Sequence, residues 1–322
     1  MNNKTNAVIL TSLIGSLTII GACSNQGEVA EEQGTTGVEE TQTITHLRGE
    51  SDVPLEIEKA VVLSASYIDH MLTIDEKPYA VNVEARYGGD YPAYLEDQLD
   101  GVHLVGSADE PNLEAITSLD PDVILVESRT PDDTYNLLEQ IAPTIVLGNE
   151  WLDYDDDPDF WTEDLLAIAG MYDKVDLAQK KIEELNQKTE DARKTIETLE
   201  DRKLAYLRLR DDMVQIYAES GHPMNTLLYK DLNFVPSQMT PVDQREDLSL
   251  ETIPEIDADY IFLEGDVNSS ETVEEMKQNE LWNRIPAAQK NQIYATDSYW
   301  LSKGWGAIGR GQIIDEIVND IE

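Results

Sequence analysis

The sequence predicts an α/β protein of two related lobes, whose mainly parallel sheets are joined by one long α-helix, with a ligand cleft between the lobes. Three observations lead to this fold class: a long amphipathic helix in mid-chain, a segment that occurs twice, and alternating strand and helix patterns on both sides of that helix. With 322 residues, of which 41% are hydrophobic, the chain is long enough for two packed cores.

The long helix is predicted over Asp173–Leu199, which contains neither Gly nor Pro. Its apolar residues recur at intervals of three and four and would lie on one helix face, with one interruption at Thr189. Such a helix is about 40 Å long, which is about the diameter of a domain. It is too long to be a crossover connection within one small sheet. A two-stranded coiled coil is the alternative, although so short a seam with Ala and Thr would pair weakly.

The repeated segment occurs once on each side of the helix, as Leu113–Glu127 and as Leu250–Glu264. Seven of its fifteen positions are identical without a gap, and they include Glu and Asp as well as apolar residues. Any helix-turn-strand unit converges on similar apolar positions, but shared acidic positions are harder to explain in that way. The repeat therefore indicates two related lobes.

Short β-rich runs and helical patterns alternate in both lobes. Strands are predicted at Ala60–Leu63, Tyr79–Val83, Val102–Val105, Val123–Val126 and Thr144–Leu147, then at Leu204–Leu209, Met213–Tyr217, Tyr260–Leu263 and Gln292–Ala295. Helices are predicted at Tyr67–Thr73, Asn112–Leu119, Thr134–Gln140 and Phe160–Ala169, then at Pro223–Asp231, Leu250–Ile256, Ser270–Gln278 and within Ile308–Ile321. This alternation is typical of βαβ units, in which ligands bind at the carboxyl ends of the strands.

The N-terminus has the pattern of an exported protein. Residues 1–22 combine Lys4 with a short apolar run, as in a secretory signal, and the sequence up to Cys23 resembles a bacterial lipobox, whose cysteine is acylated. Cys23 is the only cysteine, so an intramolecular disulfide is excluded. The predicted organisation is a signal peptide at 1–22, a polar tether at 23–45, a first lobe at 46–170, the interlobe helix at 171–201 and a second lobe at 202–322.

Composition excludes several functions. A net charge of −42 is incompatible with binding nucleic acid. The sequence contains no nucleophile elbow, phosphate loop or pair of histidines at metal-binding spacing, and its four histidines are scattered, so no enzyme and no protein metal site are predicted. A zinc- or manganese-binding transport protein and an exported hydrolase remain as alternatives.

Several motifs occur in the order typical of one transport family. They include His46-Leu47-Arg48-Gly49-Glu50, Pro111-Asn112-Leu113-Glu114, Leu119-Asp120-Pro121-Asp122, Gln140-Ile141-Ala142-Pro143, Leu227-Leu228-Tyr229-Lys230-Asp231 and Asp297-Ser298-Tyr299-Trp300. In these motifs the chain resembles the iron–siderophore substrate-binding lipoproteins of ABC importers, the ferrichrome, ferric-citrate and cobalamin type. The resemblance implies Rossmann-like lobes on a long helix and a cleft that closes only slightly. Departures at 73–77 and at Asn233 affect turns only.

Basic residues are informative because they are scarce. The candidates for ligand contact are Arg86 and Arg129, which follow strands of the first lobe, together with Arg208 and Arg210 at the end of a strand in the second lobe, and Lys303. Relatives carry a ligand-contacting arginine at the position of Arg129. An ion pair with a neighbouring carboxylate is the alternative for each arginine. By contrast, Arg193, Arg202, Arg245 and Arg284 are interpreted as solvated charges.

Aromatic candidates for the cleft are Tyr87, Trp300 and Trp305, which lie in loop-like stretches near strand ends. Trp305 stands between two glycines, a setting too open to bury it locally, whereas a core position is the ordinary alternative for a tryptophan. His222 precedes the Leu-Leu-Tyr helix, in a loop that bears ligand contacts in relatives.

The expected ligand is a ferric siderophore of the hydroxamate or citrate-hydroxamate kind, with no cofactor and no metal ligand from the protein. Arginine offers a planar fork that matches carboxylate or hydroxamate oxygens. A ferric catecholate, haem, cobalamin or a bare metal ion are the alternatives. Glu114 and Glu251, equivalent in the repeat, are expected to dock on an ABC permease dimer, as such glutamates do in the family. The protein is expected to be an extracytoplasmic monomer, anchored to the membrane only through lipid on Cys23.

Overall fold

The first lobe contains a five-stranded sheet in which all neighbouring strands are parallel, in the order β5-β4-β3-β6-β7. The computed structural model describes residues 40–84, 89–148, 160–210, 213–249, 251–265 and 278–321. The strands are β3 (Ala60–Val62), β4 (Ala80–Val81), β5 (His103–Leu104), β6 (Val123–Glu127) and β7 (Thr144–Leu147). All but the edge strand β5 are buried, as the near-continuous apolar runs predict for a parallel sheet.

Helices connect these strands, as predicted. They are α1 (Ala65–Thr73), α2 (Leu113–Leu119), α3 (Asp132–Leu138) and α4 (Phe160–Met171), with a 3-10 helix at Ala93–Gln98. The Asn112 side chain caps α2 by accepting from the amide of Ala115 at 3.0 Å, and Asp120 ends it in the left-handed conformation with φ of 52°. The repeated segment thus folds as helix, turn and strand in this lobe.

A β-hairpin precedes the sheet and was not predicted. Its strands, β1 (Thr41–His46) and β2 (Gly49–Pro54), are antiparallel. The hairpin lies against the edge strand β7, where the His46 ring accepts from the amide of Val146 at 3.2 Å. The predicted tether at 23–45 therefore extends too far, because β1 begins at Thr41. Covering an exposed sheet edge is the physical reason for the hairpin's position.

The long helix is α5 (Val175–Glu197), 23 residues in length, which confirms the prediction of one long interlobe helix. Ala178, Leu185 and Ile196 are buried on its apolar face. The interruption at Thr189 is accommodated because its hydroxyl donates to the carbonyl of Leu185 at 2.9 Å, within the helix. Among the residues that the structure describes, no helix is both long and apolar enough to cross a membrane.

The second lobe contains a mixed sheet, in the order β11-β9-β8-β12-β13, with β10 also paired to β8. The strands are β8 (Lys203–Arg210), β9 (Met213–Ile216), β10 (Val235–Pro236), β11 (Glu246–Leu248), β12 (Tyr260–Gly265) and β13 (Ile293–Thr296). β9 is antiparallel to both β8 and β11, while the other pairs are parallel. So short a connection from β8 to β9 allows only an antiparallel pair.

The helices of the second lobe that lie in the described residues are short except for the last one. They are α6 (Pro223–Thr226), continued by a π-helical turn at Leu227–Asp231, then α7 (Pro286–Gln289), α8 (Trp300–Lys303) and α9 (Ala307–Ile321), with 3-10 turns at Ile253–Glu255 and Trp282–Arg284. The helix predicted at Leu250–Ile256 is thus only a 3-10 turn, since Pro254 interrupts it. The helix predicted at Ser270–Gln278 lies almost entirely outside the described residues.

One apolar core runs through both lobes by way of the helices between them. Met71 of α1 and Leu185 of α5 belong to the same buried cluster as Trp300 and Ile314 of the second lobe. The fully buried Asp69 of α1 accepts from the first free amides of α9, Ile308 at 3.0 Å and Gly309 at 2.9 Å. Asp69 therefore caps a helix of the other lobe and joins the two lobes.

Candidate functional site

Glu84, which follows β4 at the carboxyl edge of the first sheet, lies near Tyr299, which follows β13 at the carboxyl edge of the second. Tyr299 packs against Tyr94 of the first lobe, with ring centroids 6.1 Å apart. Burial raises the pKa of Glu84, and two neighbours offset part of that rise: the Asn82 amide, which donates to Oε1 of Glu84 at 2.6 Å, and the nearby Tyr299 hydroxyl. The candidate ligand site is the cleft between these two edges.

The first lobe contributes Glu127 and Arg129 at the end of β6. The Arg129 side chain is 69% exposed, and its Nε donates to Oε2 of Glu127. The other carboxylate oxygen of Glu127 accepts from the Ser64 hydroxyl at 2.7 Å. Arg129 therefore lies at the cleft edge, where the sequence places it, and it has a carboxylate beside it.

Behind Arg129 the first lobe has a polar layer made by Tyr67, Gly148 and Asp164. The Gly148 amide donates to Asp164 at 3.0 Å, and burial raises the pKa of that carboxyl to about 6. Gly148 has φ of +88°, and a Cβ there would come within 2.9 Å of the Tyr67 hydroxyl. Glycine is required here because it adopts this positive φ without strain and has no Cβ to collide with the Tyr67 hydroxyl.

The second lobe contributes Arg208, Glu264 and two stacked tyrosines. Arg208 Nε lies 3.6 Å from Oε1 of Glu264, a carboxylate that is only 1% exposed. The Tyr206 hydroxyl donates to Oε2 of the same residue, and the Tyr206 and Tyr217 rings stack at 4.3 Å. Burial, and next the charge of Glu264, raise the pKa of both tyrosines, so both hydroxyls stay protonated.

The rings of His222 and Trp305 lie edge to face in the second lobe, with their centroids 5.6 Å apart. Burial, followed by the positive charge of Arg245, lowers the pKa of His222 to about 3. Its Nδ1 accepts from the amide of Met224 at 3.1 Å, so the neutral ring carries its proton on Nε2. His222 can therefore donate one hydrogen bond, but it adds no positive charge at neutral pH.

Arg245 is the residue that sequence reasoning missed. The pairing of Glu246 with Ile216 brings the neighbouring Arg245 beside Tyr217, and its positive charge acts to lower the pKa of both Tyr217 and His222. It directly precedes the edge strand β11 (Glu246–Leu248) in a polar stretch with no periodicity. No local signal could have identified it, because only the pairing of β11 with β9 brings it there.

Two predicted contacts require correction. Trp300 is fully buried and packs between Phe262 and Tyr206, so it is part of the core and does not cover a ligand. The Lys303 side chain is only 4% exposed, and its Nζ contacts Asp297 at 2.5 Å and Glu316 at 3.1 Å. Its ammonium group therefore forms structural ion pairs within the second lobe instead of contacting a ligand. Both residues belong to α8, whose inward face the sequence did not reveal.

Four predicted residues are not tested by the geometry. Arg86, Tyr87 and Cys23 lie outside the described residues. Of Arg210 only the backbone is described, which pairs with Met213 between β8 and β9.

The two glutamates expected to dock on a permease are both exposed. Glu114 lies in the first turn of α2, and Glu251 lies just before the 3-10 turn that replaces the equivalent helix in the second lobe. In the part of the chain that the structure describes, no three His, Cys, Asp or Glu side chains converge to hold a metal ion.

Comparison with known proteins agrees with this architecture. The chain is 27% identical over 301 residues to the Fe(3+)-citrate-binding protein YfmC of Bacillus subtilis, covering 92% of this chain and 90% of that protein. It is 25% identical over 341 residues to the putative ABC transporter substrate-binding lipoprotein YhfQ of the same organism, with coverage of 99% and 98%. The crystal structure of the petrobactin-binding protein YclQ from Bacillus subtilis superposes with a TM-score of 0.72 at 22% identity, covering 88% of this chain and 99% of that one.

These relatives are binding proteins rather than enzymes, which confirms that prediction, and the two-lobed fold with one long helix is confirmed as well. The sequence profile of one family, described as periplasmic binding protein, matches residues 61–300. That range includes both sheets and the helix between them, apart from the N-terminal residue of β3. The chain therefore belongs to the periplasmic binding protein family.

Proposed function

We propose that this protein captures a ferric siderophore outside the cytoplasm and delivers it to an ABC importer. The observation that carries the proposal is the set of arginines at the cleft, Arg129, Arg208 and Arg245, on a protein with a net charge of −42. The overall field repels anions, so only close contacts in a partly desolvated cleft bind anionic oxygens. Iron–citrate and petrobactin binding by the named relatives supports the same ligand class.

A hydroxamate or citrate-hydroxamate complex fits the cleft better than a strongly anionic catecholate complex. Arg129 and Arg208 each lie beside a glutamate, and Glu84 adds a further carboxylate at the same edge. The described part of the cleft is therefore close to balanced in charge rather than strongly positive. A compact complex of low net charge, with iron held entirely by the siderophore, suits this balance.

Intrinsic tryptophan fluorescence tests the proposal. The purified protein is titrated with ferric hydroxamate, citrate-type and catecholate siderophores, with haem, cobalamin and unchelated iron as controls. We expect the tightest quenching with a hydroxamate or citrate-hydroxamate complex, since Trp305 lies beside His222 at the cleft wall. Tight binding of haem, cobalamin or unchelated iron, or binding of none of these compounds, would contradict the proposal.

Membrane anchoring is proposed to depend on acylation of Cys23. Each buried methylene of the attached chain contributes about 0.8 kcal/mol of membrane affinity. The variant Cys23→Ala is expected to leave the membrane fraction and enter the medium, measured by immunoblotting of both fractions. A second substitution in the polar stretch, Ser24→Ala, serves as the control and should remain membrane-bound. Retention of Cys23→Ala in the membrane fraction would argue against the lipobox.

Docking on the permease is proposed to use Glu114 and Glu251, which are exposed and equivalent in the repeat. The double variant Glu114→Ala/Glu251→Ala is expected to keep its ligand affinity but to abolish uptake of radioactive iron supplied as the ferric siderophore. Glu183→Ala/Glu200→Ala, which removes two exposed charges along the interlobe helix region, is the matched control. Unchanged uptake in the first variant would exclude the docking role, as would equal loss in the control.

A further inference from the structure

The repeated segment ends with a glutamate in each lobe, and the two glutamates occupy equivalent places. Glu127 ends β6, which lies between β3 and β7, and Glu264 lies near the end of β12, between β8 and β13. Both are therefore at the carboxyl edge of a central strand. The two glutamates that match in the sequence repeat therefore also occupy matching positions in the two sheets.

The contacts of the two carboxylates are similar in kind. Each directs one oxygen to a hydroxyl from the neighbouring strand or its end: Ser64 at 2.7 Å from Oε1 of Glu127, and Tyr206 against Oε2 of Glu264. Each directs its other oxygen to the Nε of an arginine, Arg129 in the first lobe and Arg208 in the second. Each lobe thus combines a hydroxyl, a carboxylate and an arginine, although the arginine follows Glu127 on the same chain segment in the first lobe and lies opposite Glu264 on the neighbouring strand β8 in the second.

Both contacts to a glutamate are made by the arginine Nε, and Arg208 also forms a side-chain hydrogen bond with Tyr217. The terminal nitrogens form the fork that matches carboxylate and hydroxamate oxygens. An exposed arginine loses rotamer freedom when it is immobilised, so a side chain held in advance binds with a smaller loss of entropy. Glu264 is itself too buried to touch a ligand. Its effect on binding must therefore pass through Arg208.

We infer that Glu127 and Glu264 are positioning residues. Each holds one ligand-facing arginine, so that one bound complex is contacted by an arginine from each lobe. This inference rests on the proposed function, because the ligand is the ferric siderophore that the protein binds tightest in the fluorescence panel. It extends that function by assigning a positioning role to Glu127 and Glu264.

A double-mutant cycle on affinity tests the inference. Glu127→Gln keeps the shape and the acceptor for Ser64 but removes the charge that holds Arg129. We expect it to weaken binding about 3- to 10-fold in the wild-type background, and less than about 2-fold in Arg129→Gln, because coupled residues lose their effect when the partner is absent. The same cycle is measured with Glu264→Gln and Arg208→Gln.

The matched control is the pair Arg193–Glu197 on α5, in which Nε also contacts a glutamate oxygen, at 3.0 Å. Glu197→Gln and Arg193→Gln are expected to leave affinity unchanged. Thermal unfolding of every variant separates loss of affinity from loss of structure, and if Glu264→Gln does not fold, the Glu127 cycle decides alone. Equal effects of Glu127→Gln in both backgrounds, no effect, or tighter binding would each overturn the inference. A wild-type protein that binds no siderophore would instead overturn the proposed function.

Discussion

Replacing Arg129 and Arg208 together with glutamine is expected to weaken binding of the ferric siderophore by at least about 100-fold. A hydrogen bond to a charged group contributes about 1.5–3 kcal/mol, so two lost contacts amount to about 3–6 kcal/mol. The net charge of −42 makes this loss harder to compensate, because the overall field of the protein repels an anionic ligand. The measurement is the dissociation constant from fluorescence titration of Arg129→Gln/Arg208→Gln.

Glutamine is preferred to alanine because it fills most of the space beside the buried Glu264. The control is Arg193→Gln/Arg202→Gln, which removes the same charge from the interlobe helix and the turn after it. It should bind with wild-type affinity. Wild-type affinity in the cleft variant would show that neither arginine contacts the ligand and would remove the main support for the proposed function.

Asp69→Ala is expected to lower the free energy of unfolding by about 2–5 kcal/mol, since two buried amides of α9 lose their acceptor. Those amides belong to Ile308 and Gly309, and the Asp69 side chain reaches them from the other lobe. Gly306 permits this approach, because a Cβ there would lie 2.2 Å from the carboxyl carbon of Asp69. Urea unfolding measures the loss. Asp315→Ala, an exposed position on the same helix, is the control and should change stability by less than about 1 kcal/mol.

The pH dependence of stability gives a second measure of Asp69. Burial raises its pKa to about 6, above the ordinary value of 3.8, even though the α9 amides favour the ionised form. The folded state then binds the proton more tightly, so this group's contribution is full below pH 3.8 and is lost as pH rises towards 6. The stability of the wild type relative to Asp69→Asn should therefore fall between pH 4 and 6, by about 1.4 kcal/mol per pH unit at most. A difference that is constant or rises with pH would contradict the assigned burial.

The sequence by itself determined the plan of the molecule. A 3,4 spacing of apolar residues without Gly or Pro defines α5, since only a helix places such residues on one face. The repeat ending at Glu127 and Glu264 established that the lobes are related. The sequence also placed Arg129 and Arg208 near the carboxyl edge of a sheet, because each lies directly after or late in a buried strand, while their contact with a ligand stays a prediction.

Tertiary structure alone decided which side chains are available at the cleft. Trp300 and Lys303 carry suitable chemistry, yet α8 packs them against Phe262 and Glu316, partners that local sequence does not specify. Arg245 reaches the cleft only through the pairing of β11 with β9. Asp69 meets α9 across 239 and 240 positions of the chain. Local patterns record the period of a helix or strand, whereas burial and ion pairing depend on which elements meet in space.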